Sequence, residues 1–439
     1  MRQKLIVISM DALVYEDLKD NISDYPSFSR MAKEGAWVER VRSVYPTLTY
    51  PCHVTMATGR YPDSHTVTNN TEDLIGRVDP PWRMEHRFVK GEDILDAAKR
   101  AGLTTAAVSW PVMGNHPSCD YLVDECWPDH AATATSAKYR QKFIDLGTPE
   151  KLFDEIMAPI LSMRIGRKQP DSTYFYTIIT AELIRRYQPD LLLLHMGNVD
   201  HYRHASGVFS PLVTRGVRES DEMLGMILDA IDEAGIADET NIVVTADHGQ
   251  LNVTRTVHPN VLLREKGFID TDDAGGVTGW RAYAFSMGMS AVVRLSDPND
   301  GKLRDEVRRV LDEACASGLW GISRVYTNAQ TAQAEHLDGD FSFVLETDGA
   351  TTFGTNWLGA AAECKKEGIT GLIGASHGYH PDRGARPTFL AMGPAIRPGA
   401  RVAGMNLVDG APTYARILGI DLPGADGVPV TAILKEQYA

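Results

Sequence analysis

The sequence has few cysteines, no long hydrophobic run and no surplus of basic residues. The chain of 439 residues has five cysteines, an odd number without the close spacing of a metal-binding cluster. We therefore expect reduced thiols, with a disulfide between Cys119 and Cys126 as the alternative. No apolar stretch reaches the roughly 18 to 20 residues of a transmembrane helix, and the run at 5–10 is too short for the core of a secretory signal. These absences predict a cytoplasmic protein without a membrane span.

The shortage of positive charge excludes a further class of partner. Lys and Arg number 44 and Asp and Glu 58, which gives a net charge of −14 with His neutral. Such a surface repels phosphate backbones, and no basic stripe stands apart from it, so we expect no nucleic-acid polymer as partner. Hydrophobic residues make up 43% of the chain, as in a globular protein with a substantial core. The acids, together with 13 His, are also candidate ligands for cations.

Short apolar runs alternate with longer amphipathic patterns along most of the chain. The runs predict strands at 5–10, 105–110, 191–195, 241–245 and 388–392, and the patterns predict helices at 26–34, 91–100, 213–234 and 412–418. This alternation indicates the α/β class, with a doubly wound, mostly parallel sheet and helices on both faces. Residues 131–184 turn helical and polar, and we expect them to lie over one side of the sheet.

One stretch departs from this alternation. Residues 254–345 contain a glycine pair, an alternating run at 281–295 and a helical pattern at 302–314. We predict a smaller inserted α+β lobe at 263–345, with residues 1–262 and 346–439 forming the catalytic core. No repeats, low-complexity segments or charge blocks separate the two.

Six acidic and imidazole side chains follow predicted strands or a glycine-rich loop. They are Asp11, after the first strand, Asp200 and His204, after the strand at 191–195, Asp247 and His248, after the strand at 241–245, and His377, from the loop. In an open parallel sheet, functional groups collect at the edge formed by the carboxyl ends of the strands. We therefore expect these side chains to share one edge.

The chemistry of these side chains favours a metal site. Carboxylate and imidazole are ligands of Zn²⁺ and similar metals. Asp200 and His204 are four residues apart, so one helical turn can present both to a single ion. Asp247 and His248 are adjacent and can hold an ion only from a loop. Each fragment alone is typical of a cap or a turn, so the prediction rests on their coincidence at one edge.

Thr49 lies in the segment Tyr-Pro-Thr-Leu-Thr-Tyr-Pro-Cys-His, residues 45–53. Pro51 suits the first turn of a helix, which places Thr49 at or just before a helix N-terminus. Free backbone N–H groups and the helix dipole favour an anion there. A threonine hydroxyl attacks nothing at neutral pH unless a metal or a base activates it. Thr49 is therefore either a helix cap or an activated nucleophile.

These motifs, in this order, resemble the nucleotide pyrophosphatase/phosphodiesterase family of the alkaline phosphatase superfamily. The matching features are Asp11, the segment around Thr49 with Thr-Gly-Arg-Tyr-Pro-Asp-Ser-His after it, Asn70, Asp-x-x-x-His at 200–204, Thr-Ala-Asp-His-Gly at 245–249 and Ser-His-Gly-Tyr at 376–379. The resemblance covers roughly residues 1–130, 188–262 and 368–420. It implies an alkaline phosphatase-like fold and hydrolysis of phosphodiester or pyrophosphate bonds in a small, nucleotide-like phosphorylated substrate, through a covalent phosphothreonine.

The resemblance also implies roles for individual residues. Two Zn²⁺ ions would be held, the first by Asp200, His204 and His377, and the second by Asp11, Asp247, His248 and the Thr49 oxygen. Thr49 would be the nucleophile, and Asn70, with a backbone N–H near Thr49, would bind a phosphate oxygen. Tyr50 would flank a nucleobase. His195 stands where the family has a base-stacking Tyr, so an imidazole takes that place in the substrate site.

Several alternatives stay open at this point. A phosphonate hydrolase of the phosphonoacetate-cleaving kind, or a phosphomonoesterase, would share the two-metal motifs. A metal-binding protein without catalysis is the alternative from another class. Sulfatases need Cys or Ser as nucleophile, followed by Pro and Arg at set spacing, a pattern that Thr49 with Cys52 does not fit. The motifs make no prediction of the oligomeric state.

Overall fold

The computed structural model describes residues 3–126, 136–163, 168–364 and 374–438. Its strands are β1 (Lys4–Met10), β2 (Ala36–Arg42), β3 (Thr105–Val108), β4 (Tyr121–Val123), β5 (Leu191–Met196), β6 (Thr240–Thr245), β7 (Leu251–Asn252), β8 (Arg255–Val257), β9 (Ile269–Thr271), β10 (Val277–Trp280), β11 (Ala282–Met287), β12 (Ser290–Leu295), β13 (Ile322–Thr327), β14 (Phe343–Thr347), β15 (Thr351–Phe353), β16 (Ala362–Cys364), β17 (Ala375–Ser376), β18 (Phe389–Met392) and β19 (Arg401–Asn406).

The helices of the same ranges connect these strands. They are α1 (Tyr15–Leu18), α2 (Pro26–Glu34), α3 (Thr49–Thr58), α4 (Pro62–His65), α5 (Ile94–Arg100), α6 (Ser136–Asp145), α7 (Glu150–Leu152), α8 (Asp171–Tyr187), α9 (Asn198–Ser206), α10 (Pro211–Glu233), α11 (Pro259–Glu265), α12 (Gly301–Ser317), α13 (Asn328–Glu335) and α14 (Gly410–Leu418). Short 3-10 segments lie at Ile22–Asp24, His86–Phe88, Ala158–Met163, Ala237–Glu239, Leu407–Asp409 and Thr431–Ile433, and a π-helical turn at Phe153–Met157.

Eight strands form the central sheet, in the order β19-β2-β18-β6-β1-β5-β3-β4. β1 lies near its middle, parallel to β5 on one side and to β6 on the other. β18 runs antiparallel to both of its neighbours, β2 and β6, whereas the other pairs are parallel. The prediction of a mostly parallel, doubly wound sheet is therefore confirmed.

The residues of β1 show why this strand is central. Residues 5–10 are all buried, as is typical of a parallel strand covered on both faces. Successive side chains point to opposite faces. Ile6 and Ile8 pack with residues of α2, α8 and α10, whereas Leu5 and Val7 pack with residues of α3, α5 and α14. Helices thus cover both faces, and the carboxyl edge of the sheet is left for functional groups.

A second sheet occupies the stretch predicted as an inserted lobe. It is antiparallel, in the order β11-β12-β14-β13, and the alternating run at 281–295 forms its β11–β12 hairpin. The apolar side of α12 packs into the same hydrophobic cluster, which also takes in Tyr45 and Leu48 from the segment before α3. β14 continues to Thr347. The domain boundaries at 262 and 346 stay a prediction.

Three smaller predictions concern membranes, thiols and the segment at 131–184. Within the described ranges, no helix is long and apolar enough to cross a bilayer, and the cytoplasmic location stays a prediction. The cysteines form no disulfide in the described ranges, so the alternative of a Cys119–Cys126 bond is wrong. α8 packs on α10 and β5 over one side of the sheet, as expected. Residues 127–135 and 164–167 lie outside the described residues.

Candidate metal centre and active site

The predicted metal ligands and Thr49 meet at the carboxyl edge of the central sheet. They are Asp11 after β1, Asp200 and His204 on α9, Asp247 and His248 after β6, His377 after β17, and Thr49 at the start of α3. Two subsets have their ligand atoms within 4.8 Å of one another: Asp200 with His204 and His377, and Asp11 with Asp200 and His248. The fold therefore brings the predicted ligands together, with the first predicted set complete and with Asp200, rather than Asp247, grouped with Asp11 and His248. The division of the ligands between two ions stays a prediction.

His204 and His377 both direct Nε2 at Oδ1 of Asp200. The Nε2 atoms lie 3.3 Å and 3.7 Å, respectively, from this oxygen. Nδ1 of His204 donates to O of Ala375 over 2.8 Å. Nδ1 of His377 donates to O of Thr47 over 3.1 Å. A proton on Nδ1 leaves Nε2 with a lone pair, which is the tautomer that binds a metal. Burial lowers the pKa of His377 to about 4, so its ring is neutral at pH 7.

Asp11, Asp247 and Thr49 all lie close to one atom, Nε2 of His248. Nε2 of His248 lies 3.2 Å from Oδ2 of Asp247 and 3.6 Å from Oδ1 of Asp11. The same nitrogen lies 3.3 Å from Oγ1 of Thr49. Both of these carboxylate oxygens are buried and make no hydrogen bond with the described residues. The four side chains thus converge on a small volume beside the hydroxyl.

The unpartnered carboxylates fit a bound cation. Burial, and next to it the charge of a neighbouring carboxylate, raises the pKa values of Asp11 and Asp247 well above their ordinary value. A buried ionised carboxylate is costly unless a cation or donor compensates its charge. Asp with neutral His is a donor set that Zn²⁺ accepts. We call Asp200, His204 and His377 the first group, Asp11, Asp247, His248 and the Thr49 oxygen the second group, and both together the metal centre.

Thr49 occupies the first position of α3, so the prediction that it lies at a helix N-terminus is confirmed. The N-cap residue, Leu48, offers no side-chain hydrogen bond. The positive end of the helix dipole therefore lies beside the hydroxyl. One turn further on, Nδ1 of His53 donates to O of Thr49 over 2.7 Å. This bond fixes the backbone carbonyl group of Thr49, the residue that carries the hydroxyl.

Asn70 supplies the missing cap from outside the helix. Its Oδ1 accepts the backbone N–H of Tyr50 over 2.9 Å, and its own N–H donates to Oδ1 of Asn69. The backbone N–H of Tyr50 thus bonds to the side-chain amide of Asn70 and orients it. Asn70 also lines the pocket beside Thr49, and its role as a donor to an anion stays a prediction.

A pocket of about 270 Å³ opens over the metal centre. Besides Asp11, Thr49, Asp200, His204 and His377, it is lined by Tyr50, Asn70, Trp82, Ser109, Glu125, Gln169, Ser172, Thr173, Tyr176, His195, Gly197 and His201. Tyr50 donates its hydroxyl to Glu125 over 2.9 Å and meets the ring of Trp82 edge-on, with centroids 5.3 Å apart. The sequence did not indicate Glu125 or the residues of α8, because neither carries a motif. Ser109 follows β3 and could have been found from that position.

His195 lines the pocket but is turned toward the metal centre. Its Nε2 lies 3.1 Å from Oδ2 of Asp11, and its Nδ1 lies 3.2 Å from O of Ser109. The side chain is only 5% exposed, and its ring lies edge-on to that of His53, with centroids 4.5 Å apart. His195 therefore contacts the carboxylate of Asp11, a predicted metal ligand, and little of its ring is open for stacking on a base.

A separate group of possible metal ligands, His86, Asp93, Asp96 and His116, lies at the start of α5. Nδ1 of His116 accepts the N–H of Ser118 over 3.0 Å, so Nε2 carries the proton and donates to Asp93 over 2.9 Å. Asp93 also caps α5 through Oδ1. Hydrogen bonds within the protein therefore account for His116 and Asp93, whereas Nδ1 of His86 is buried and makes no hydrogen bond with the described residues. The sequence assigned no function to this group.

The central sheet thus carries Asp and His side chains at its carboxyl edge, around a threonine at a helix N-terminus, as the resemblance to the alkaline phosphatase superfamily implies. The family model described as type I phosphodiesterase / nucleotide pyrophosphatase matches residues 5–375. The chain belongs to this family, as its motifs predicted.

Curated relatives agree with this assignment. The chain is 23% identical over 428 residues to human ectonucleotide pyrophosphatase/phosphodiesterase family member 5, a match that covers 95% of this chain and 75% of the relative. It is 24% identical over 249 residues to human family member 1, covering 56% of this chain and 23% of that protein. It is 22% identical over 260 residues to the venom phosphodiesterase of Macrovipera lebetinus, covering 57% and 26%. The matches to the last two relatives thus span about a quarter of their length.

Solved structures share the fold over nearly the whole chain. Human ectonucleotide pyrophosphatase/phosphodiesterase 5 aligns with a TM-score of 0.68 at 19% identity, covering 99% of this chain and 100% of that one. The murine protein aligns with a TM-score of 0.65 at 19% identity and the same coverage, both by itself and as an inactive variant in complex with AMP. The prediction of an alkaline phosphatase-like fold is confirmed.

Proposed function

We propose that the protein hydrolyses phosphodiester or pyrophosphate bonds of small phosphorylated substrates at Thr49, with two Zn²⁺ ions at the metal centre. The observation that carries the proposal is the position of Oγ1 of Thr49, 3.3 Å from Nε2 of His248 and at a helix N-terminus. The unpartnered oxygens of Asp11 and Asp247 lie beside the same nitrogen. Membership of the family supports a phosphoric ester as the target.

The residues of this chain bind and orient the reacting groups. The first group would hold one ion, and the second group would hold the other beside the Thr49 oxygen. When bound, the ions supply Lewis acidity and lower the pKa of a coordinated hydroxyl. The N-terminus of α3 favours negative charge at Thr49. Nδ2 of Asn70 donates to a phosphate oxygen on which charge accumulates.

Attack by Thr49 leads to a covalent phosphothreonine. A bond forms between Oγ1 of Thr49 and phosphorus while the bond from phosphorus to the leaving oxygen breaks, with the two oxygens roughly in line. Water then cleaves the phosphothreonine and restores the hydroxyl. Asn70 orients the phosphate in both steps, and His53 holds the peptide group of Thr49.

We propose a nucleotide-like substrate, whose non-phosphate part would contact Tyr50, Trp82 and the start of α8. An inactive variant of a murine relative of the same fold binds AMP, and Tyr50 lines the pocket here. Because His195 exposes little of its ring, we expect weak discrimination between bases. A rate comparison on one preparation tests this choice, with a nitrophenyl nucleotide diester, nitrophenyl phosphate, a lipid-like phosphodiester and phosphonoacetate. Fastest turnover of phosphonoacetate or of the monoester would replace the proposed substrate class.

Thr49→Ala tests the nucleophile. The variant should lower kcat for a nitrophenyl nucleotide diester at least about 10³-fold, because loss of a covalent nucleophile removes the first chemical step. Thr49→Ser keeps a hydroxyl and should retain part of the rate. Zinc content, measured by mass spectrometry, controls for loss of metal. Undiminished hydrolysis by Thr49→Ala would contradict the assignment, and an inert wild type loaded with zinc would favour a metal-binding protein without catalysis.

Metal exchange tests the identity of the ions. Chelation should abolish hydrolysis of the same diester, and added Zn²⁺ should restore it, because the ligands combine imidazole with carboxylate. Mg²⁺ prefers octahedral, all-oxygen sites. Restoration by Mg²⁺ alone would therefore count against the site. Enzyme treated with zinc-saturated chelator is the control for effects of the chelator itself.

A further inference from the structure

The β11–β12 hairpin of the lobe touches the loop that carries His377, backbone against backbone. Its tight turn is Gly288-Met289, between the two strands. A Cβ atom on Gly288 would overlap O of His377, and a Cβ atom on Gly378 would overlap O of Met287. The two segments approach so closely because both positions lack a side chain.

Hydrogen bonds join the same two segments. The N–H of Met289 donates to O of His377 over 2.8 Å, and Oγ of Ser290 donates to O of Gly378 over 2.6 Å. Thr47, two residues before Thr49, also contacts this loop: its O accepts the N–H of Gly378 over 2.8 Å. The peptide groups around His377 are therefore held from the lobe and from the segment that precedes the nucleophile.

The hairpin also supports the residue that precedes Asn70. Nδ2 of Asn69 donates to O of Ser286, in β11, over 3.0 Å. Oδ1 of Asn69 accepts the N–H of Asn70 over 2.8 Å. The tight turn at Gly288 is itself held by β15, because the N–H of Phe353 donates to O of Gly288 over 2.7 Å. The β11–β12 hairpin thus contacts both the loop of His377, a predicted metal ligand, and the residue next to Asn70, the predicted anion donor.

We propose that the β11–β12 hairpin is a positioning element of the active site, which fixes His377 for metal binding and fixes Asn70 through Asn69. The lobe contributes none of the predicted ligands, yet it restricts a loop whose Gly378 has a φ of +96° and would otherwise sample many conformations. Groups that orient a ligand contribute to metal affinity although they do not touch the ion. This inference rests on the proposed function, because it assumes that His377 binds a metal.

A pair of glycine variants tests the proposal. Gly288 and Gly318 both lie in the lobe with left-handed backbone, at φ +73° and +67°, so alanine strains both. Nothing lies within 4 Å of a Cβ atom at 318. In competition with a chromogenic chelator, Gly288→Ala should lower the Zn²⁺ affinity of one site at least tenfold. The Zn²⁺ affinity of Gly318→Ala should stay within twofold of wild type. The melting temperatures of both variants should fall, because alanine strains the left-handed backbone at both positions.

A second variant adds no bulk. Ser290→Ala removes the bond to Gly378 and should lower the same affinity at least threefold. Its control is Thr331→Val, which removes a buried hydroxyl that donates to Asn328 elsewhere in the lobe. The variant His204→Ala removes one ligand of the first group, so the Zn²⁺-binding step that it weakens is the one that belongs to this group.

The outcomes separate the inference from the proposed function. If folded Gly288→Ala binds both ions as wild type does, the positioning role is wrong. If Gly288→Ala fails to fold, unchanged affinity in Ser290→Ala overturns the inference equally. Zinc binding requires no turnover, so a wild type that binds two ions without hydrolysing any ester contradicts the proposed function and leaves this test intact.

Discussion

The imidazole of His195 lies between the candidate substrate pocket and the metal centre. The ring lines the pocket, yet its Nε2 lies 3.1 Å from Oδ2 of Asp11. Asp11 is thereby held with its other oxygen toward His248. Side chains that orient a metal ligand in this way typically change metal affinity 10- to 100-fold when removed. We therefore expect the contact of His195 with Asp11 to matter more than contact with a base.

The variant His195→Phe separates these two roles, because it keeps a ring and removes the hydrogen bond to Asp11. Zn²⁺ affinity of the second group should fall about tenfold, with a smaller change in KM for a nitrophenyl nucleotide. His195→Gln retains a donor and should lose less affinity. Chelator competition and steady-state kinetics measure the two effects. A changed KM with unchanged zinc affinity would make His195 a substrate-binding residue, as the sequence suggested.

At the scale of elements, Asp190 joins three strands at the end of the sheet opposite the metal centre. It precedes β5, and its O accepts the N–H of Leu5 in β1 over 2.8 Å. Its Oδ2 accepts two hydrogen bonds from Thr104, just before β3: one from the backbone N–H over 2.8 Å and one from the side-chain hydroxyl over 2.9 Å. Nζ of Lys4 donates to Oδ1 over 3.2 Å. The register of the central strands is thus supported by one carboxylate.

These bonds predict a pH dependence of stability. Burial opposes ionisation, but the donors of Thr104 and Lys4 hold the pKa of Asp190 below its ordinary value of 3.8. A lowered folded pKa gives stabilisation that is complete above the ordinary value and is lost as the pH falls through the folded pKa. Asp190→Asn should cost about 1.5 kcal/mol at pH 7, and its difference from wild type should shrink below pH 4. Urea unfolding of metal-free protein at pH 7, 5 and 3.5 measures it; a constant difference would contradict the assignment.

For the whole molecule, the metal centre brings together segments that are far apart in the chain. Its ligands lie between residues 11 and 377 and come together only in the folded state. A ligand that binds only the folded state at 100 times its Kd adds about 2.7 kcal/mol of stability. Bound Zn²⁺ should therefore raise the stability of the entire fold.

Metal removal should lower the melting temperature by several degrees in scanning calorimetry. His204→Ala, which loses one ligand of the first group, should show a smaller difference between zinc and chelator than wild type. Equal melting temperatures of the wild type with zinc and with chelator would show that the centre contributes nothing to stability. The net charge of −14 does not conflict with an anionic substrate, because two dications would reverse the charge locally.

Much of the core and most of the site were predictable from local patterns. The apolar runs located β1, β5 and β6 to within one or two residues, because a strand buried on both faces requires continuous apolar sequence. Side chains directly after such strands reach the carboxyl edge, which is why Asp11 and Asp247 were found. Glu125 and the residues of α8 were not, since no local pattern places them beside the pocket.

The candidate ligands and the candidate nucleophile could thus be identified from the amino-acid order, because side-chain chemistry and strand periodicity are local and the order of the motifs resembles a known family. The direction in which His195 points, the capping of α3 by Asn70 and the contact of the lobe with the His377 loop are not. Each depends on how closely segments distant in sequence approach, and this distance is set by packing of the whole core. The sequence therefore determines which side chains are available for the proposed chemistry, while packing of the folded core determines how they are oriented.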